Sequence, residues 1–182
     1  LFVGPRKFPK NAAVLRVLSR SAGSRQGRLA GAGLKVPCAL GRAGRTALKR
    51  EGDFASPRGR FALLGVFYRP ERLRRPRTGL PIAVIRPDDG WCDAPADRNY
   101  NRPVRLPYPA SAERMWRDDG LYDLVVVLDH NFASRRRNGG SAIFLHCAAP
   151  GYAPTAGCVA LARRDLVKLL ARLRPGTVIE IV

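Results

Sequence analysis

The run Leu124-Val125-Val126-Val127-Leu128 constrains the fold more than any other stretch of this chain. It is too short for a buried helix, its centre is β-branched, and no polar residue interrupts it. That is the pattern of a strand covered on both faces, and the strand is predicted over Leu121 to Leu128. Such a strand needs a layer of structure on each side, and most of the remaining chain is cut to strand length. Apolar runs over 13–18, 27–40, 61–68, 80–86, 142–146 and 177–182 are separated by turns rich in the chain's 18 glycines and 15 prolines. The turn signal at 21–24 predicts a hairpin between the first two runs.

Only 165–173 has convincing helical spacing: Leu166, Leu169, Leu170 and Leu173 share one face, and Pro175-Gly176 ends the segment. A turn or two of helix is also predicted over 111–117, with Ser111 as N-cap. The aromatic, proline-rich stretch 91–109 reads as a long ordered loop pinned to the core by Trp91. Residues 1–10, with two prolines and several cations, read as an N-terminal arm, and 11–182 as one domain. The fold expected is mostly β, a sandwich or barrel with a helix packed on it near the end.

Thirty-three Lys and Arg against 14 Asp and Glu give a net charge of +19. A charge of that size bears on partners more than on fold. The candidates are nucleic acid, an anionic membrane surface or an anionic wall polymer. A basic nucleic-acid-binding module is the distant alternative, since no recognition helix, zinc finger or RNP-like strand accompanies the arginines, which cluster only at 72–77 and 135–137. No run approaches the ~20 apolar residues of a membrane span, and residues 1–30 lack the apolar centre of a secretory signal. Cys38, Cys92, Cys147 and Cys158, with only two histidines, match no zinc spacing, so no metal or cofactor is expected. The cysteines read as buried free thiols, with a Cys38–Cys92 bridge as the alternative in an oxidising compartment.

Chemistry concentrates in 141–161. A short apolar run ends on His146, a loop rich in Gly, Pro and Ala follows, and the stretch closes on Thr155-Ala156-Gly157-Cys158-Val159. Thiolate is the nucleophilic form of cysteine, and a neighbouring imidazole can take the thiol proton. Gly157 permits close backbone approach, and the N–H groups of Gly157 and Cys158 are the expected oxyanion donors. Cys147, next to His146 in an extended segment, should point the other way and be structural. His130 reads as a strand-end or loop residue, and Arg98, in the long loop, as a contact for a substrate carboxylate.

Two motifs in fixed order resemble the L,D-transpeptidase catalytic domain, the YkuD-like family. One is the strand to His146 followed by Thr155-x-Gly157-Cys158 and an aliphatic residue. The other is Ser56-Pro57-Arg58-Gly59-Arg60-Phe61, similar to the family's T-P-x-G-x-F stretch ahead of a core strand. The resemblance spans about 11–182 and implies a YkuD-like β-sandwich or barrel with a helix after the catalytic cysteine. It implies a peptidoglycan L,D-transpeptidase: Cys158 attacks a stem-peptide carbonyl, D-alanine leaves, and a thioester acyl-enzyme is resolved by an amine. His146 would be general base and then acid, with Gly157 and Thr155 shaping the site. With water as acceptor the same site would be an L,D-carboxypeptidase or another peptidoglycan peptide hydrolase. The resemblance also implies acylation by carbapenem-type inhibitors and a place in the periplasm or cell envelope, where the positive charge would favour the anionic surface. Ala156 and Ala160 stand where the family often carries His and Arg or Asn, and Arg163 or Arg164 is the expected substitute as a substrate-binding group.

Overall fold

The computed structural model describes residues 12–182; the arm expected over 1–10 lies outside the described residues. β1 (Val14–Leu18), β2 (Gln26–Gly31) and β3 (Leu34–Ala39) form an antiparallel meander. The stretch 27–40, which reads as one run, is therefore two strands. Gly31, Ala32 and Gly33 all take positive φ and turn the chain back on itself. The short strands β4 (Arg45–Thr46) and β5 (Ser56–Pro57) pair with each other ahead of the long β6 (Gly59–Tyr68), and β7 (Ile82–Val84) follows. Next come β8 (Asp89–Cys92), β9 (Pro103–Arg105) and β10 (Ala112–Arg114), which form a separate sheet in the order β10-β8-β9. The chain ends with β11 (Leu124–Leu128), β12 (Phe144–Cys147), β13 (Val159–Leu161), the helix α1 (Arg163–Leu170) and β14 (Val178–Ile181).

The main sheet runs β11-β12-β13-β3-β2-β1-β14-β6-β7, and β6 pairs with β11 as well. β6 makes this closure because it is long. Gly59 to Ala62 lie against β14, while Leu63 to Tyr68 lie against β11. The sheet is thus a closed, barrel-like structure with its helix late in the chain, the mostly-β architecture that the strand-length runs imply.

β11 is buried at every residue and divides its side chains between two cores. Leu124, Val126 and Leu128 join Leu15, Leu29, Leu145 and Ile179, a cluster that α1 completes with Leu166, Leu169 and Leu170. Val125 and Val127 join Trp91, Tyr122, Phe144 and Cys158 on the other face. Burying a side chain of this size is worth roughly 1.5–3 kcal/mol, so a strand loaded on both faces anchors everything paired to it. β12 is one of those partners, with Val125 opposite His146 and Val127 opposite Phe144.

Two local expectations are corrected. Residues 112–114 are strand and not helix. Ala112, Glu113 and Arg114 pair with Cys92, Trp91 and Gly90, and that tertiary pairing overrides the Ser111 cap signal. The stretch 91–109 is not all loop, since it contains the end of β8 and the whole of β9. Trp91 does pin it. The indole Nε1 donates to Asn101 Oδ1 at 3.0 Å and the ring meets Phe144 edge-on at 5.0 Å. Asn101 Oδ1 also accepts from Ala142 N at 3.1 Å, and its amide donates to the His130 carbonyl at 3.0 Å. The excursion is thereby tied to the segment that leads into β12. Among the described residues no helix is long and apolar enough to cross a membrane. All four cysteines are free and buried.

Candidate active site

β12 alternates in the extended way. Leu145 and Cys147 face the first core, Phe144 faces the second, and His146 lies on the Phe144 side against the Tyr122 ring. The Cys147 thiol accordingly points toward Leu124 O, away from His146. β13 runs parallel to β12 with Ala160 beside His146, and Cys158 comes immediately before it. His146 and Cys158 line one cavity of about 480 Å³, with only 5% and 7% of their surfaces exposed. The two residues expected to carry the chemistry share this cavity.

The Cys158 sulfur accepts from Phe144 N at 3.3 Å and its thiol donates to Ala142 O at 3.2 Å. Ala142 has φ +50°, an uncommon setting for a residue with a side chain, and it aims this carbonyl at the thiol. His146 Nδ1 lies 2.8 Å from Cys147 O. A carbonyl only accepts, so Nδ1 carries the hydrogen and Nε2 keeps its lone pair. Burial pushes the Cys158 thiol up to about 12, aided by Glu113 and opposed by the Phe144 N–H, Lys49 and Arg117. Burial pushes His146 down to about 4 against the pull of the Cys147 carbonyl. Both groups are neutral at rest.

The loop before Cys158 is folded around Thr155. Its N–H donates to Leu40 O, its carbonyl accepts from Arg42 N, and Gly41 pairs with it as an isolated bridge. The Thr155 hydroxyl accepts from Gly157 N at 3.1 Å and donates to Cys158 O at 2.6 Å. This bond revises one expectation, because the Gly157 N–H is engaged within the turn and is not presented to a ligand. Gly157 itself sits at φ +141°, where a Cβ would stand 3.0 Å from Ala55 O, so the position suits glycine on both counts. The upstream motif reaches the same point. Ser56 is fully buried, accepts from Gly41 N at 3.0 Å and lies 3.4 Å from Cys158 O.

None of the arginines expected to bind substrate, Arg98, Arg163 and Arg164, lines the cavity. Arg163 is on α1 and pairs with Asp123 at 2.9 Å. Arg98 is an exposed loop residue whose carbonyl accepts from Arg135. His130 lies outside the cavity too, with Nε2 on Gly139 O at 2.9 Å. The cations that do line the cavity are Lys49 and Arg117, accompanied by Glu51, Asp93 and Glu113. Sequence reading missed all five. Arg117 bonds Asp119, stands 3.6 Å from Glu113 and lies over the Tyr122 ring. Tyr122 donates to Glu113 at 2.6 Å and meets the His146 ring edge-on at 5.3 Å. Burial raises the Glu113 carboxyl, and Asp93 Oδ1 is buried with no hydrogen-bond partner among the described residues. Ala156 and Ala160 line the cavity as well and bring no polar side chain to it. Among the described residues no group of three or more His, Cys, Asp or Glu is placed to hold a metal ion.

A family model described as the L,D-transpeptidase catalytic domain, YkuD, matches residues 25–181. No curated protein matches the chain. Among solved structures it is similar to an L,D-transpeptidase from Mycobacterium smegmatis, at 15% identity and a TM-score of 0.42, over 93% of this chain and 58% of that one. It is also similar to L,D-transpeptidase 3 from Mycobacterium tuberculosis, at 13% identity and a TM-score of 0.44, over 94% of this chain and 61% of that one. A further similar structure is that same enzyme in complex with a faropenem-derived adduct, at 12% identity and a TM-score of 0.43, over 93% and 60%. The chain spans about three fifths of the length of these structures.

The neutral buried imidazole has a consequence for stability. An unfolded histidine titrates near 6.5 and folded His146 near 4, so the folded state binds this proton less readily. The His146 contribution is complete above pH 6.5 and is lost as pH falls toward 4, with a slope of up to about 1.4 kcal/mol per pH unit. His130 is shifted the same way, whereas Asp129 and Glu113, raised by burial, act in the opposite sense. The share of His146 is therefore read as a difference in urea unfolding. The stability gap between wild type and His146→Gln is expected to shrink as pH is lowered from 6.5 to 4, and a gap independent of pH would contradict a neutral buried imidazole.

Proposed function

The chain belongs to the L,D-transpeptidase catalytic-domain family, and from that membership we propose that it is a cysteine-dependent acyltransferase acting on peptidoglycan stem peptides, with Cys158 as nucleophile and His146 as proton carrier. The observation that carries the reading is the presence of the Cys158 thiol and the His146 imidazole on the wall of one cavity, with Nε2 of the imidazole left as an acceptor. At rest the thiol hydrogen is held by Ala142 O. In the reaction the thiol turns from that carbonyl and passes its proton to His146 Nε2, and the sulfur bonds to the carbonyl carbon of the diamino acid in the stem. The tetrahedral intermediate collapses with cleavage of the C–N bond. His146 returns the proton to the leaving nitrogen, D-alanine departs, and a thioester remains on Cys158. An incoming amine then gives its proton to His146, bonds to the acyl carbon and expels the sulfur, which is reprotonated. Carbapenem-type inhibitors would enter the first half of this cycle and stop at the acyl-enzyme.

Ala156 and Ala160 give the wall no polar side chain to hold an acceptor stem, which favours a second reading in which water replaces the amine, giving an L,D-carboxypeptidase. Product masses from a disaccharide-tetrapeptide decide between them. Wild type is expected to release D-alanine and, with an added amine acceptor, to form a cross-linked product, while Cys158→Ala releases no D-alanine. Tripeptide alone, with or without the amine, would leave hydrolysis and remove transfer.

We place this reaction at the cell envelope, in the periplasm or on the wall. A groove lined by Arg20, Arg25, Arg28 and Lys35 meets the reactive cavity at Pro154, which lines both. Cations along such a groove would hold an anionic envelope polymer next to the cavity. The protein is expected to sediment with isolated sacculi at low salt and to be released by high salt. The same binding by the charge-reversed pair Arg25→Glu and Arg28→Glu would count against the groove.

A further inference from the structure

Of the two backbone donors expected for the reactive carbonyl oxygen, the Gly157 N–H is bound to the Thr155 hydroxyl, which leaves the Cys158 N–H and room for a second donor from elsewhere on the wall. We propose that the Lys49 ε-ammonium stabilises the negative charge that develops on the substrate carbonyl oxygen when Cys158 attacks. The inference rests on the reading of Cys158 as nucleophile.

Lys49 is a cation with only 6% of its side chain exposed, and it lines the same cavity as Cys158 and His146. Its ammonium donates to Arg50 O at 2.9 Å and to the Asp53 carboxylate. An ammonium has three hydrogens, so one is left without a partner among the described residues. Asp53 is itself held by Arg50 N at 2.7 Å and Ala55 N at 3.0 Å, which fixes the anchor to which the ammonium is tied.

Two glycines keep the seat open. A Cβ on Gly140 would stand 2.8 Å from Lys49 Cγ and 3.2 Å from Cε, so a side chain there would displace the stem. A Cβ on Gly157 would stand 3.6 Å from Nζ. Both glycines take positive φ, at +89° and +141°, and the lysine head is thereby brought beside the residue that precedes the nucleophile. The field of Lys49 already acts on the Cys158 thiol, in the direction that favours negative charge there. The other cation on the wall, Arg117, is committed to Asp119 and Glu113. Within a buried cavity a fixed cation acts far more strongly on a developing charge than it would in water.

The test compares two reactions of one thiol. Opening of a carbapenem ring forms a thioester through an oxyanion. Alkylation by iodoacetamide forms a sulfur–carbon bond, expels iodide and builds no oxyanion. Lys49→Met is expected to slow first-order acylation by the carbapenem at saturation by about 100- to 1,000-fold, and iodoacetamide alkylation at the same pH far less, since there only the field on the thiol is lost. If Lys49→Met loses its cooperative unfolding transition, Lys49→Gln carries the same comparison, because it removes the charge and keeps a donor for Asp53. Unchanged acylation would overturn the proposal. So would a parallel fall in both rates, which would place the effect on the thiol, or a loss confined to the carbapenem concentration needed for half-saturation. Absence of any adduct on wild type overturns this proposal together with the nucleophilic role of Cys158.

Discussion

The reactive end of the cavity hangs on one hydroxyl. Thr155 Oγ1 takes the Gly157 N–H and gives its own hydrogen to the Cys158 carbonyl, closing the turn from Thr155 to Cys158 around a single oxygen. Such side-chain bonding lets the backbone leave regular structure without orphaned polar groups. Thr155 is in turn stitched to Leu40 and Arg42, just past β3, the strand that pairs with β13. The fully buried Ser56 approaches the same Cys158 carbonyl from the second motif. Two segments about a hundred residues apart in the chain thus converge on one peptide group, and the direction in which the Cys158 side chain leaves the backbone follows from that convergence.

Burial then sets the chemistry. A thiol pushed up to about 12 and an imidazole pushed down to about 4 do not form an ion pair. The proton stays on sulfur, and the site is held in a neutral state with the thiol parked on Ala142 O. This differs from cysteine sites in which a standing thiolate faces an imidazolium. Separating charge in so buried a site has to be supported by the groups that line it. The charged groups on the wall, Lys49 and Arg117 with Glu51, Asp93 and Glu113, are the means by which it can be supported.

Much of the scaffold is legible in the sequence because it is written in local periodicity. The all-apolar β11, the hairpin after β1, the leucine face of α1 and the opposite orientations of His146 and Cys147 all follow from period and turn chemistry. The placement of His146 and Cys158 on one cavity follows from the strand–loop–Thr-x-Gly-Cys order. The charged wall does not. Lys49, Glu51 and Asp53 sit in a polar, turn-rich segment that looks like any solvated loop. Glu113 and Arg117 sit in a stretch with helical cap signals that becomes extended only because β8 pairs with it. The one available hint was the Lys-Arg-Glu-Gly-Asp run directly ahead of the Ser56-Pro57 motif. The engagement of the Gly157 N–H and the pairing of Arg163 with Asp123 depend on side-chain directions that spacing does not encode.

The nucleophilic role of Cys158 is tested most directly by intact mass after incubation with a carbapenem. One equivalent of adduct is expected on wild type, carried by the peptide that contains Cys158 and absent from Cys158→Ala, with Cys38, Cys92 and Cys147 unmodified. A folded wild-type protein that gains no mass, or an adduct that persists in Cys158→Ala, would contradict it.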